Sequence, residues 1–321
     1  ILEEKARAGV EVRVMYDGTC AMFRLPYHYP QMLEKLGIKC KMFAPLRPAV
    51  STHYNNRDHR KIVVVDGRVA YTGGVNLADE YVNRRERFGH WKDASIRLEG
   101  EGVRSFTLMF LQMWNISETG DAFARYLSAS DGASEGLDAP GYVLPYGDSP
   151  LDGERTGEMV YIDILNRARR YVHIMTPYLI LDAEMSEALS FAAKRGVEVV
   201  ILLPHVPDKK YAFALAKTHY RALLQAGVRI LEYTPGFVHA KLFVSDDAEA
   251  VVGTVNLDYR SFYLHFECAA YLRGVPAVAD IEADFRRTAA RCQEIRPEDL
   301  KQTPLVTRVT GWLLKLFAPI M

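Results

Sequence analysis

One pattern, His-x-Lys-x4-Asp-x6-Gly-x-x-Asn, occurs twice in this chain and limits its fold more than any other feature. It reads His59, Lys61, Asp66, Gly73 and Asn76, then His239, Lys241, Asp246, Gly253 and Asn256. The flanks repeat in the same order. Lys5-Ala-Arg-Ala-Gly-Val-Glu-Val-Arg-Val parallels Ala193-Lys-Arg-Gly-Val-Glu-Val-Val-Ile-Leu, and Leu33-Glu-Lys-Leu-Gly-Ile-Lys parallels Leu223-Leu-Gln-Ala-Gly-Val-Arg. Ordered self-similarity of this kind marks a duplicated domain.

Each copy alternates short β-rich runs with helical periodicity. In the second, an amphipathic stretch over 159–168 leads to a strand over 171–175, a helix over 183–194 and a buried strand over 197–203. A helix over 211–225 and strands near 228–233, 240–244, 250–252 and 267–272 follow. This spacing predicts an α/β fold of two tandem domains, each a mixed sheet flanked by helices, related by a pseudo-two-fold axis. The expected boundaries are 1–116 for the first domain, 117–156 for a linker, 157–300 for the second domain and 301–321 for an amphipathic tail. The linker is rich in Gly, Ser, Asp and Pro, notably Asp131-Gly-Ala-Ser-Glu-Gly-Leu-Asp-Ala-Pro, which reads as a surface connection or substrate-side loop.

The first copy starts late. Its Gly9 matches Gly196, so counterparts of 159–187 are missing, a predicted core strand among them, and a sheet lacking it exposes an edge. The opening Ile and this gap lead us to expect further chain before residue 1.

Composition excludes little. Forty basic and forty acidic residues cancel, so no overall field draws the protein to nucleic acid or anionic lipid. Cys20, Cys40, Cys268 and Cys292 form no C-x-x-C pair, which fits packing cysteines in a reducing, cytoplasmic setting better than a disulfide framework. No apolar run is long enough to span a bilayer, and Leu2-Glu-Glu-Lys-Ala-Arg-Ala does not open a signal peptide.

The repeated motif suits a phosphodiester. In a strand, residues i and i+2 share a face, so His59 with Lys61 and His239 with Lys241 are expected to point together. Ammonium and amide groups hold the non-bridging oxygens of a phosphoryl group while charge develops. One imidazole attacks phosphorus and the other protonates the leaving alcohol, so two histidines in opposite protonation states are required. A single His-x-Lys on a strand is usually just a satisfied, half-buried histidine. Duplication of a scaffold preserves glycines and apolar periodicity, but gives no reason to keep His, Lys and Asn at one spacing in both halves.

In these residues the chain resembles the phospholipase D superfamily, and in detail its bacterial cardiolipin synthase family. The closest stretches are Asn55-Asn-Arg-Asp-His-Arg-Lys-Ile-Val-Val-Val-Asp-Gly-Arg-Val-Ala-Tyr-Thr-Gly-Gly-Val-Asn-Leu-Ala-Asp-Glu-Tyr and Gly253-Thr-Val-Asn-Leu-Asp-Tyr-Arg-Ser-Phe. The resemblance implies condensation of two phosphatidylglycerols into cardiolipin with release of glycerol, at the cytoplasmic side of a bacterial cell membrane, with no metal, cofactor or nucleic acid. It makes His59 the nucleophile and His239 the general acid and base, an order that the sequence symmetry leaves open. Glu267 and Asp93 stand where the family places acidic residues that orient the histidine of the opposite half. Glu267 is thus assigned to His59 and Asp93 to His239; the plainer alternatives are a strand-capping Glu267 and an Asp93 paired with a neighbouring cation. Lys61 and Lys241 complete the candidate catalytic set with Asp66 and Asp246, which read as loop-holding residues more than acid–base groups. Asn76, Asn256 and Thr254 are the expected phosphate-binding residues. Gly74 replaces the hydroxyl that Thr254 supplies in the second copy, and His265 stands where Asn commonly precedes Phe-Glu.

Alternatives remain: a phospholipase D that hydrolyses the same bond, a phosphatidylserine synthase, a nuclease, or a membrane-binding protein with a decayed site. Neutral net charge counts against the nuclease, and two intact motifs count against decay. Arg57, Arg60, Arg84, Arg85 and Arg87 either greet lipid phosphates or form a solvated face. In the tail, apolar residues at 305, 306, 309, 312, 313, 316, 317 and 320 share one helical face with Trp312 at its centre, while Arg308 and Lys315 lie off it. Such a helix lies in a bilayer interface or packs on its own domain. The other histidines, His28, His53, His90, His173, His205 and His219, read as surface or packing residues.

Overall fold

The computed structural model describes residues 1–20, 24–45, 55–116, 123–128 and 139–320. His53 and the loop over 131–138 fall outside them. The first repeat runs α1 (Leu2–Arg7), β1 (Arg13–Asp17), α2 (Tyr29–Glu34), β2 (Lys39–Phe43), β3 (Arg57–Asp58), β4 (Ile62–Val65), β5 (Val69–Gly73), β6 (His90–Lys92), β7 (Ser95–Glu99), α3 (Val103–Trp114) and α4 (Ala124–Leu127). The second runs β8 (Tyr142–Asp148), α5 (Thr156–Arg167), β9 (Tyr171–Met175), β10 (Leu179–Ile180), α6 (Ala183–Lys194), β11 (Glu198–Pro204), α7 (Lys210–Ala226), β12 (Arg229–Tyr233), β13 (Gly236–Val238), β14 (Leu242–Ser245), β15 (Glu249–Gly253), β16 (Leu257–Asp258), β17 (His265–Arg273), α8 (Ala277–Ala289), β18 (Cys292–Glu294) and α9 (Leu305–Lys315).

The second repeat builds one mixed sheet in the order β18-β12-β11-β9-β14-β15-β17, with β8 on the far side of β17. β9, β11 and β12 are parallel, whereas β14, β15, β17 and β8 are antiparallel. Its central strands are apolar throughout because both faces are covered. On one face α5, α6 and α7 pack through Tyr161, Met185, Leu189 and Tyr220. On the other, α8 joins α3 and the first repeat's sheet, where Ile62, Val64, Ile96 and Leu98 meet Leu242, Val244, Val252 and Phe285. The two repeats thus share a core.

Local chemistry explains the helix limits. Asp182 caps α6 by accepting the Met185 amide at 2.9 Å, and Gly227, at φ +97°, closes α7 in the left-handed region. The span over 117–156, expected to be a linker, is not all connection. Its 142–148 segment is β8, which pairs with β17 from Glu267 to Arg273.

The first repeat follows the same order with one break. β2-β1 and β4-β5-β7 form two separate sheets, whereas in the second repeat β9 joins the equivalent β11 and β14. Among the described residues no strand pairs with both β1 and β4, the place that β9 fills between β11 and β14. Val63, Val65 and Tyr71 are exposed, whereas Phe243, the counterpart of Val63, stacks on Tyr161 of α5.

Candidate active site

The site is built where each repeat reaches into the other. β3, which ends just before His59, pairs with the start of β17, and β13, just before His239, pairs with β6. The His59 amide donates to the Phe266 carbonyl at 3.0 Å, and the His239 amide donates to the Lys92 carbonyl at 2.7 Å. The next residues along are Glu267 and Asp93. Backbone pairing therefore sets each histidine beside the other repeat's carboxylate. His59 Nδ1 lies 2.9 and 3.0 Å from the Glu267 oxygens, and His239 Nδ1 lies 2.9 Å from Asp93 Oδ2.

The expectation that His and Lys lie on a strand needs correction. Residues 59–61 and 239–241 sit between ladders, where the chain leaves its cross-repeat partner and enters its own sheet. The side chains still gather. Lys61 donates to the His59 carbonyl at 2.6 Å, and Lys241 to the His239 carbonyl at 2.5 Å.

His59 and His239 line one cavity of about 450 Å³, with Asn76 and Asn256 in its wall. Arg24, Glu80, Tyr81, Arg87, Trp91, Tyr178, Asp208, Lys209, Asp258, Arg260 and His265 also line it. Its two sides differ. His239 is enclosed by Trp91, Tyr81 and Phe237, with ring centroids at 5.2, 5.2 and 6.0 Å. His59 is the more accessible of the two side chains, 24% exposed against 9%, and faces the His265 ring at 5.4 Å.

Burial sets the protonation states. It lowers His59 to about 3 despite the opposing Glu267 carboxylate, and lowers His239 to about 4, the neighbouring Lys241 adding to the effect. Burial alone would raise Glu267, yet the charge and the hydrogen bond of His59 hold its carboxyl well below the usual range. Asp93 is likewise pushed up by burial and brought lower overall by its His239 hydrogen bond. Two neutral imidazoles beside two carboxylates each donate from Nδ1, which leaves Nε2 with a free lone pair. His239 Nδ1 also lies 2.9 Å from Lys241 Nζ, and it cannot donate to Asp93 and accept from Lys241 together. The Asp93 charge, and the His239 carbonyl available to the ammonium, favour donation to Asp93. Burial lowers Lys61, and takes Lys241 to about 7.

Thr254, expected to bind phosphate, turns away from the cavity. Its hydroxyl is fully buried and donates to Glu267, which also accepts from Ser261 at 2.8 Å. Thr254 therefore fixes the carboxylate. In the first repeat the corresponding pair is Gly74 and Asp93. A Cβ on Gly74 would fall 2.1 Å from Asp93 Oδ1 and 2.7 Å from the His239 carbonyl oxygen. The shorter Asp reaches its histidine only because glycine lets the backbone approach, so Gly-Asp replaces Thr-Glu as a unit.

Asp66 and Asp246 stand at hairpin turns outside the cavity, both with left-handed backbone, φ 54° and 56°. Asp246 accepts the amides of Arg169, Arg170 and Tyr171 at 2.8 to 2.9 Å, tying its turn to the start of β9. Among the described residues the Asp66 side chain meets no hydrogen-bond partner, β9 having no counterpart there. Neither aspartate is placed for acid–base work.

Of the arginine cluster only Arg87 reaches the cavity, 3.3 Å from Glu80. Arg57 donates to the Ala44 carbonyl, and Arg60 forks onto Asp58 at 2.9 Å. His173 pairs with Glu282 as a buried packing histidine, and His205 pairs with Glu232 from an exposed position. Among the described residues one set has metal-ligand spacing, His59, His265 and Glu267, whose ligand atoms lie within 4.8 Å of one another. Glu267 is already engaged by His59, Thr254 and Ser261. Ser261, Tyr81 and Trp91 went unrecognised in the sequence, although Ser261 sits within the second motif's Tyr-Arg-Ser-Phe run.

The profile of the family described as "Cardiolipin synthase, PLD-like domain" matches residues 1–97 and 161–289, one segment in each repeat. The chain belongs to this family. An uncharacterized protein of Streptococcus mutans is 57% identical over the whole chain, which covers 69% of that protein. A cardiolipin synthase of Halalkalibacterium halodurans is 35% identical and cardiolipin synthase 2 of Bacillus cereus is 36% identical, each over the full chain. The chain spans 63% and 62% of these two synthases' lengths, less than two thirds. The fold is that of phosphatidylserine synthase of Haemophilus influenzae, with a TM-score of 0.73 at 14% identity, over 99% of this chain and 85% of that one.

Proposed function

We propose that this protein transfers a phosphatidyl group between two phosphatidylglycerol molecules, forming cardiolipin and glycerol through a phosphohistidine. One observation carries the reading: two imidazoles, each oriented by the opposite repeat's carboxylate, open onto a single cavity. His59 Nε2 attacks the phosphorus of the first lipid. The bond from phosphorus to the leaving glycerol oxygen breaks, and His239 Nε2–H gives that oxygen its proton. The neutral His59 is ready for attack at pH 7. His239 must carry a second proton, and the bound phosphodiester anion raises its pKa from the low value burial imposes. Lys61, Lys241, Asn76 and Asn256 hold the non-bridging oxygens.

In the second half the acceptor lipid's hydroxyl passes its proton to His239 and attacks phosphorus, and the P–N bond to His59 breaks. The greater accessibility of His59 favours it as nucleophile, because it must meet both donor and acceptor. His265, which lines the cavity with its ring 5.4 Å from that of His59, is the group we assign to the incoming alcohol. The work takes place at the cytoplasmic face of a bacterial membrane, on lipid presented by the surface. No helix among the described residues is long and apolar enough to cross a bilayer.

Product analysis tests this. Phosphatidylglycerol vesicles incubated with the protein are expected to yield cardiolipin and glycerol in equal amounts. Phosphatidic acid as the main product overturns transfer in favour of hydrolysis, and no turnover overturns both.

A further inference from the structure

The tail helix α9 lies along α7, but with the wrong side for a helix that merely completes a core. Its docked stripe is Thr307, Gly311, Leu314 and Ala318, spaced four, three and four residues apart. The approach is close: a Cβ on Gly311 would fall 2.4 Å from the Ala214 carbonyl oxygen and 2.8 Å from Thr218 Cγ2. The large apolar side chains point the other way. Leu305, Val306, Val309, Trp312, Leu313, Leu316 and Phe317 are all exposed, Trp312 at 66% and Leu316 at 71%. At 100° per residue they fill an arc of roughly 140°, and Arg308 and Lys315 lie together on one flank of it, between the exposed face and the docked one.

The position of this helix matters as much as its composition. Leu314 and Ala318 pack on Ile180, Ala212 and Leu215, with Tyr178 and Tyr259 beside them. Tyr178, Ile180 and Ala212 line the active-site cavity. The same side chains are thus floor for α9 and wall for the site. From Thr303 onward the chain has two basic residues and no acidic one, and the cavity wall adds Arg24, Arg87, Lys209 and Arg260.

We propose that the exposed face of α9 docks on an anionic lipid bilayer and holds the cavity mouth against it, so that a lipid headgroup enters the site without its acyl chains leaving the membrane. This rests on the phosphatidyl-transfer reading of the site and adds the surface from which substrate arrives. Apolar residues at interfacial depth, a central Trp and flanking cations at the headgroup level are what such a surface selects. A second copy of the chain fits less well, because antiparallel isologous pairing of the helix would bring the like-charged Arg308 and Lys315 flanks together.

The test uses the purified protein, vesicles of phosphatidylcholine with or without phosphatidylglycerol, and dispersed short-chain phosphatidylglycerol. The W312E/L316E variant changes only exposed side chains, and its thermal melt is expected to match the parent. Co-sedimentation with phosphatidylglycerol vesicles is expected to fall at least about tenfold, and turnover of vesicle substrate to fall with it, while turnover of dispersed substrate is unchanged. R308Q/K315Q is expected to lose only the preference for anionic vesicles. Undiminished vesicle binding by W312E/L316E overturns the docking face, as does a parent dimer that the variant converts to monomer without change in vesicle binding. Parent protein that binds vesicles through this face yet leaves dispersed phosphatidylglycerol untouched overturns the phosphatidyl-transfer reading instead.

Discussion

Glu267→Gln isolates the role of the buried carboxylate. Glu267 is wholly buried and takes hydrogen bonds from His59, Thr254 and Ser261. Gln keeps the size and one acceptor oxygen, and the two hydroxyls can rotate to accept from its amide. Shape is preserved while charge is lost. As His59 attacks phosphorus its ring becomes cationic, so the Nδ1–H bond to a carboxylate strengthens on the way to the transition state. A hydrogen bond to a charged partner contributes about 1.5–3 kcal/mol, which corresponds to a roughly 10- to 150-fold loss of kcat. KM is expected to stay nearly constant, since the interaction grows only in the transition state. The assay is release of glycerol from phosphatidylglycerol with a thermal melt as control. A folded variant with kcat within about twofold of the parent would refute the assigned role of Glu267.

Other consequences follow from the same geometry. Gly74→Ser is expected to displace Asp93 and cost about 1–3 kcal/mol of stability, with kcat falling at least tenfold in the glycerol assay, while Thr254→Ser, which keeps the hydroxyl, stays close to the parent. Lys241, lowered to about 7, is charged only below that pH in the free protein, so kcat/KM is expected to decline as pH rises past it. Lys241→Arg should move that decline upward in a pH–rate profile. His59, His239 and His219 sit at about 3, 4 and 4 in the folded protein. Unfolded histidines take up protons near pH 6.5, so unfolding binds protons between roughly pH 4 and 6. Stability is fully present above pH 6.5 and is lost as pH falls, at about 1.4 kcal/mol per pH unit for each histidine. Urea denaturation at pH 7 and pH 5 measures it, and His219→Gln should flatten the slope by one histidine's share.

Much of this was legible because periodicity and end signals agree in the second repeat. The strand over 171–175 and the helix over 183–194 occur with those limits, since Asp182 caps the helix and Gly196 follows it. The motif's place between ladders was not legible, because His239 and Lys241 alternate like strand residues and only cross-repeat pairing takes them out of the sheet. β8 was hidden by its Gly, Pro and Asp residues, which β17 tolerates at an outer strand. Two intact copies of one motif were enough to point to phosphodiester chemistry. They could not show that Thr254 faces inward, since an inward and an outward hydroxyl read alike in sequence. The aromatic enclosure of His239 by Tyr81 and Trp91 depends on long-range packing with no local signature.

The most direct test of paired histidines acting on one phosphorus is to trap the intermediate. Rapid quenching of the protein during turnover of phosphatidylglycerol, followed by peptide mass spectrometry, is expected to find a phosphatidyl adduct on His59. An adduct on another residue, or steady turnover with none on His59, would contradict the account.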